Sequence, residues 1–198
     1  MRKDDFSAAV KALGEGQLII YPTDTLYALG ADIYNETAVR KVFETKHRPF
    51  SIPLPVAVHS IQAIQTIAVM NTNAQKISTE FLPGDLTMIL KKTQSVPTII
   101  TSGLDTIGIR IPNHPIALKL LAQFGPLTVT SANLHQKETK GLIRDILQQL
   151  QTDIPVCLHA GRRQSRPSTI IDLSTDTPRI VREGSITKKE ILDVISHG

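Results

Sequence analysis

Residues 106–111 read Thr-Ile-Gly-Ile-Arg-Ile, a period-two pattern in which Ile107, Ile109 and Ile111 alternate with Gly108 and Arg110. Side chains two apart share one face of a strand, so this segment is a β-strand with an aliphatic face to bury. Arg110 is thereby committed to the opposite face. Two readings stand for it: a solvated arginine on an open sheet face, or a guanidinium fork for a substrate carboxylate.

The rest of the chain alternates helical and strand patterns. Phe6, Val10 and Leu13 mark an amphipathic helix that Gly14 and Gly16 end. Residues 18–21 read as a strand stopped by Pro22. Residues 36–46 read as a helix capped by Asn35. A strand over 53–58, helices over 60–68 and 72–81, and a turn at Pro83-Gly84 follow. Residues 86–90 form an apolar strand, and Asn113 is placed to cap a helix over 114–124. A strand over 127–130 ends at Ser131-Ala132-Asn133, with a helix over 139–151 beyond it. Strands are predicted over 156–159, 169–173 and 179–182. Thr187 and Glu190 have capping-box spacing before a last helix. The adjacent strands after residue 154 imply an antiparallel portion. The pattern as a whole predicts one α/β domain over residues 1–198, a twisted mixed parallel and antiparallel sheet flanked by helices.

Composition narrows the function. Aromatics are 4% of the chain and Trp is absent, which disfavours a stacking platform for single-stranded nucleic acid. A net charge of +4, with no long basic run, permits anionic ligands. One cysteine, Cys157, excludes an internal disulfide, and the six histidines lack zinc-site spacing. Cys157, in an apolar strand, reads as a core residue. The N-terminus lacks the apolar segment of a signal peptide, and no apolar run is long enough for a membrane span. A soluble cytoplasmic protein is the expectation.

Polar clusters punctuate the strand ends, where α/β domains hold ligands. In residues 46–56, Lys-His-Arg-Pro-Phe-Ser-Ile-Pro-Leu-Pro-Val, Pro49 biases Arg48 toward extended dihedrals. Lys46 and Arg48 are then expected on one face of a stiffened loop, as a solvated pair or as a clamp for phosphate. The turn at 21–30 is either self-capped or a polar-substrate contact. Thr130-Ser131-Ala132-Asn133 is an ordinary strand end or a close-approach ligand site. Ser168 and Arg182 lie on strands that can pair, as a surface hairpin or as a site. His114 and His135 read as surface residues. Residues 161–167 read as a polar, basic, mobile loop. No nucleophile–base pair, Walker loop or GxGxxG is present. The inventory of cations, hydroxyls and amides suits phosphoryl or nucleotidyl transfer by positioning and charge stabilisation.

Seven motifs together carry a resemblance: YPTDTLYALG, KHRPFSIPLPV, PGDLTMIL, TIGIRIPNHPIAL, TSAN, PSTIIDL and RIVREG, in that order, between about residues 8 and 195. The chain resembles the YrdC-like threonylcarbamoyl-AMP synthases (the YrdC/YciO superfamily, with its DHBP synthase-like fold), in their short, single-domain form. The resemblance implies a nucleotidyltransferase that joins L-threonine, bicarbonate and ATP into L-threonylcarbamoyladenylate and pyrophosphate. Partner enzymes would then modify adenosine 37 of ANN-decoding tRNAs, giving t6A. It implies Mg2+ accompanying ATP, held mainly by phosphates and water, with no protein side chain assigned to metal.

The resemblance also implies residue roles. Lys46 and Arg48 would hold the ATP phosphates. Thr25, Arg110, the backbone near Val129, and Ser168 would contact threonine, with Arg110 receiving its carboxylate. Ile52, Thr106, Thr139 and Arg182 fall on the nucleotide side. Ser131 and Asn133 would stand beside nucleotide and reaction centre. The chain departs from the family pattern at Ile52, Ala57, Asp85 and His135-Gln136, which admits a divergent paralogue similar to the YciO branch. Lys46, Arg48 and Asn133 favour the synthase. A module of the same fold that binds tRNA or double-stranded RNA without turnover is a further alternative.

Overall fold

The computed structural model describes residues 3–163 and 167–197. Helix α1 (Lys3–Gly14) leads into β1 (Ile19–Pro22) and β2 (Tyr27–Gly30), then α2 (Glu36–Thr45) and β3 (Val56–Ala57). Helices α3 (Ile61–Ile67) and α4 (Thr72–Phe81) precede β4 (Leu86–Lys91). The short α5 (Thr98–Thr101), β5 (Thr106–Arg110), α6 (Pro115–Phe124), β6 (Leu127–Thr128) and β7 (Thr130–Ser131) follow. Helix α7 (Ile143–Leu150), β8 (Val156–Cys157), β9 (Thr169–Asp172), β10 (Arg179–Arg182) and α8 (Lys188–His197) complete the order.

The helices start where capping chemistry permits. Asn35, Ser60 and Asn71 each accept a backbone N–H three residues on, satisfying a first-turn donor of α2, α3 and α4. The capping box at α8 forms as the spacing implies: Glu190 Oε2 accepts Thr187 N–H at 2.7 Å, and Thr187 Oγ1 accepts Glu190 N–H at 3.3 Å. Two helical expectations are corrected. The cap of α6 is His114, not Asn113: its Nδ1 accepts Ile116 N–H, and Pro115 occupies the first helical turn. His114 is accordingly buried rather than a surface residue. Helix α7 begins at Ile143 rather than 139: Leu142 is extended (φ −118°, ψ 139°), and the carbonyls of Glu138 and Gly141 accept from Gln149 Nε2 and Arg163 N–H instead of helical donors.

Two sheets form where one was expected. The larger has the order β10-β9-β4-β5-β3-β6 and mixes parallel pairs (β4 with β9, β3 with β5) with antiparallel ones. The smaller has the order β7-β2-β1-β8, with β8 parallel to β1. The predicted strand over 127–130 is split between them. Leu127-Thr128 pairs with β3, Thr130-Ser131 pairs with β2, and Val129 carries the chain from one sheet to the other. The strand expected over 53–58 contracts to Val56-Ala57, since its two prolines, Pro53 and Pro55, lack ladder donors.

The core follows from the alternation. Ile107, Ile109 and Ile111 are at most 1% exposed and join a cluster that includes Ile20, Leu29, Val56, Met88 and Ile171. A second cluster packs Phe6, Leu13, Ile19, Tyr21, Leu120 and Leu127. Among the described residues no helix is long and apolar enough to cross a membrane.

Candidate active site

The face of the larger sheet opposite those isoleucines is the floor of a cleft of about 650 Å³. Period-two spacing sends Thr106, Gly108 and Arg110 of β5 into it, Thr87 and Ile89 of β4 beside them, and Ser168 and Ile170 beyond. Gly108 keeps the floor flat between Thr87 and Pro55. The smaller sheet closes the other side with Ala28, Thr130 and Ser131, and its β1–β2 turn adds Thr23 and Thr25. Arg48, Ile52, Val129, Thr139 and Arg182 complete the predicted residues that line it. No carboxylate is among the described lining residues.

Three guanidinium groups converge here. Arg110, 5% exposed, is not the solvated arginine of an open face. Its Nη2 donates to Asp24 Oδ1 at 2.7 Å and to Gly84 O at 3.1 Å, and its Nη1 donates to Thr25 Oγ1 at 3.3 Å. Arg48 donates from Nε to Ile52 O at 3.0 Å and from Nη2 to Pro53 O at 2.7 Å. Arg182 donates from Nε and Nη2 to Ser168 O at 3.1 and 2.7 Å, so β9 and β10 do pair and bring hydroxyl beside guanidinium. Ser168 Oγ also meets Thr87 Oγ1 at 3.1 Å. Burial lowers the pKa of Arg182 and the positive charge of Arg110 lowers it further; burial does the same at Arg48. Arg110 is paired with Asp24, but no salt bridge to Arg48 or Arg182 is present among the described residues, and the positive charge they leave on the cleft favours an anionic ligand.

Lys46 and Arg48 do not share a face of an extended loop. Lys46 closes α2 with helical dihedrals (φ −86°, ψ −6°), and His47 takes the left-handed region at φ 49°. Pro49 restrains only the arginine. Lys46 runs into the interior, 2% exposed, under the turn after β7. Its Nζ donates to Ser131 O, to Asn133 O at 2.6 Å and to Asn133 Oδ1 at 3.4 Å. Burial, helped by the charge of Arg48, pushes its pKa down to about 7. Asn133 is likewise enclosed. It accepts from Ser131 Oγ and donates from Nδ2 to Leu134 O at 2.8 Å and Lys137 O at 2.7 Å. Lys46 and Asn133 thus sit beneath the cleft wall, and Ser131 is the member of this group on its surface.

Sequence alone gave no site role to Thr87, Asp24 or Asp85. Thr87 is the lone hydroxyl in an apolar strand, a signal that was available. Asp24 and Asp85 meet Arg110 from loops 61 residues apart, a pairing no local pattern displays. Cys157 behaves as a structural residue, its thiol pushed up to about 11 by burial and by Asp153. Residues 164–166 of the predicted basic loop lie outside the described residues.

Comparison with known proteins fits this geometry. The Sua5/YciO/YrdC family model, described as Telomere recombination, matches residues 11–184. A relative from Methanocaldococcus jannaschii is 40% identical over 186 residues, which are 93% of this chain and 88% of that protein. The threonylcarbamoyl-AMP synthase of Pyrococcus abyssi is 36% identical over 184 residues, covering 91% of this chain and 54% of that longer enzyme. The crystal structure of Pyrococcus abyssi Sua5 complexed with L-threonine superposes with a TM-score of 0.93 at 33% identity, over 99% of this chain and 58% of that one. With the match in sequence and the match in fold agreeing over nearly its whole length, the chain belongs to the Sua5/YciO/YrdC family.

Proposed function

We propose that this protein is a threonylcarbamoyl-AMP synthase, forming L-threonylcarbamoyladenylate and pyrophosphate from L-threonine, bicarbonate and ATP for t6A synthesis in tRNA. The observation that carries the reading is the convergence of Arg48, Arg110 and Arg182 with the hydroxyls of Thr25, Ser131 and Ser168 on one cleft with no carboxylate among its described lining residues. The synthase name of the Pyrococcus relative and the threonine complex of its structure support it.

In the reaction, a carbamate oxygen of N-carboxythreonine attacks the α-phosphorus of ATP. The new O–P bond forms as the bond to the β-phosphate bridging oxygen breaks, and pyrophosphate leaves with that electron pair. No protein nucleophile is required. The work is to gather anions against their repulsion, which fixed guanidinium groups do without reorganisation. Arg48 and Arg182 would take phosphate oxygens. Arg110 would take the threonine carboxylate, with Thr25 and Ser168 beside it. Lys46 acts one step back, holding the turn that presents Ser131. Among the described residues there is no cluster of His, Cys, Asp and Glu suited to a metal. Mg2+ arriving with ATP would be held by phosphate and water.

The test is pyrophosphate release with ATP, L-threonine and bicarbonate. Release that requires all three is the expected result. ATP consumption indifferent to threonine would assign the chain instead to a YciO-like activity on another substrate. Salt-dependent RNA binding without turnover would make it an RNA-binding module.

A further inference from the structure

Arg110 is enclosed by two acidic side chains as well as by the cleft. Its Nη2 is 2.7 Å from Asp24 Oδ1 and 3.8 Å from Asp85 Oδ1, with the Arg110, Asp24 and Asp85 side chains 6%, 14% and 27% exposed. Arg110 and Thr25 line the cleft; neither carboxylate does. Two buried atoms of this group have no hydrogen-bond partner among the described residues, Arg110 Nε and Asp24 Oδ2. Asp85 is tied on its other side, its Oδ2 accepting Ser185 Oγ–H at 2.9 Å.

A ligand carboxylate arriving on Arg110 puts a third negative charge on one guanidinium. Protonating one of the residents relieves that repulsion. Asp24 is the resident disposed to accept. Burial raises its pKa above the ordinary value, Arg110 opposes the rise, Asp85 adds to it, and a hydrogen bond from the Asn113 backbone works against it. Its unpartnered Oδ2 is a free position for the proton. The charged groups facing it are Arg110 from β5 and Asp85 from the head of β4, and the charge of Arg110 is also felt by Arg182 of β10.

We propose that Asp24 takes up one proton when the carboxylate of an amino acid binds Arg110, so that affinity at this subsite falls as pH rises. This rests on the reading of Arg110 as the receiver of the threonine carboxylate. The sign follows from linkage: the complex holds a proton that the free protein lacks. Between the free and bound pKa values of Asp24 the Kd therefore climbs with pH, by at most about tenfold per unit for one proton.

The experiment is calorimetric titration of the full chain with L-threonine between about pH 5.5 and 7, where the ligand's own groups keep their charge, in two buffers of different ionisation enthalpy. Expected are net proton uptake and a Kd that rises with pH in the native protein. Asp24→Asn, which imitates the protonated acid, is expected to bind with a Kd that no longer depends on pH. Asp85→Asn, should Asp24→Asn fail to fold, is expected to move the rise in Kd to lower pH. A native Kd constant over the range, or a native slope surviving in the Asp24 variant, or an unmoved slope in the Asp85 variant, overturns the proposal. Absence of threonine binding at every pH overturns the amino-acid reading of Arg110 itself, and this inference with it.

Discussion

Lys46 Nζ lies 2.6 Å from the carbonyl oxygen of Asn133, 87 residues away, and also donates to the carbonyl of Ser131. One buried ammonium thus ties the end of α2 to the turn that carries Ser131 onto the cleft wall. Its protons are directed at carbonyls, so the lysine shapes the site rather than reaching across it.

Lys46→Met should therefore abolish pyrophosphate release and also lower stability. The buried Asn133 carbonyl loses its donor, at a cost of about 1–3 kcal/mol, while the Ser131 carbonyl keeps the Asn133 N–H. Urea denaturation measures the second effect. Full stability with lost turnover would place the lysine on the substrate instead.

The same residue predicts an alkaline limb in the rate. With its pKa pushed down to about 7, the ammonium is present below that pH and disappears as pH rises through it. kcat should fall on the alkaline side, and a pH–rate profile free of an inflection there would contradict the assignment.

Arg48→Ala should remove turnover while the protein keeps its melting temperature to within a few degrees. The carbonyls of Ile52 and Pro53 that it binds are half-buried and can take water in its place. Arg48→Lys should restore little activity, because an ammonium cannot reproduce the planar fork.

Gly184 stands against the backbone of the Ser168 segment: a Cβ there would lie 2.6 Å from the Ser168 carbonyl carbon and press on Pro167 O. Gly184→Ala should displace Ser168 and raise the KM for threonine by about tenfold, the equivalent of ~1.4 kcal/mol. An unchanged KM would separate Ser168 from the amino-acid subsite.

Cys157→Ala should leave turnover intact. Burial and Asp153 hold the thiol near 11, so native protein at pH 8 should also resist alkylation by iodoacetamide until it is unfolded.

The amino-acid sequence alone determined what is local. The isoleucine alternation at 107–111 committed Arg110 to the polar face, Asn35 set the start of α2, and Thr187 with Glu190 set the start of α8, because strand pleat and helix caps are settled within a few residues. Of the twelve site residues that the ordered motifs pointed to, ten line the cleft, and Lys46 and Asn133 lie beneath its wall. Only the tertiary structure decided what depends on contacts across the chain. It split the strand at Val129 between two sheets, turned Lys46 inward beneath Ser131, and set Asp24 and Asp85 on Arg110. A buried charge takes whichever partner the packing brings within reach, and that neighbour is distant along the chain and invisible to periodicity.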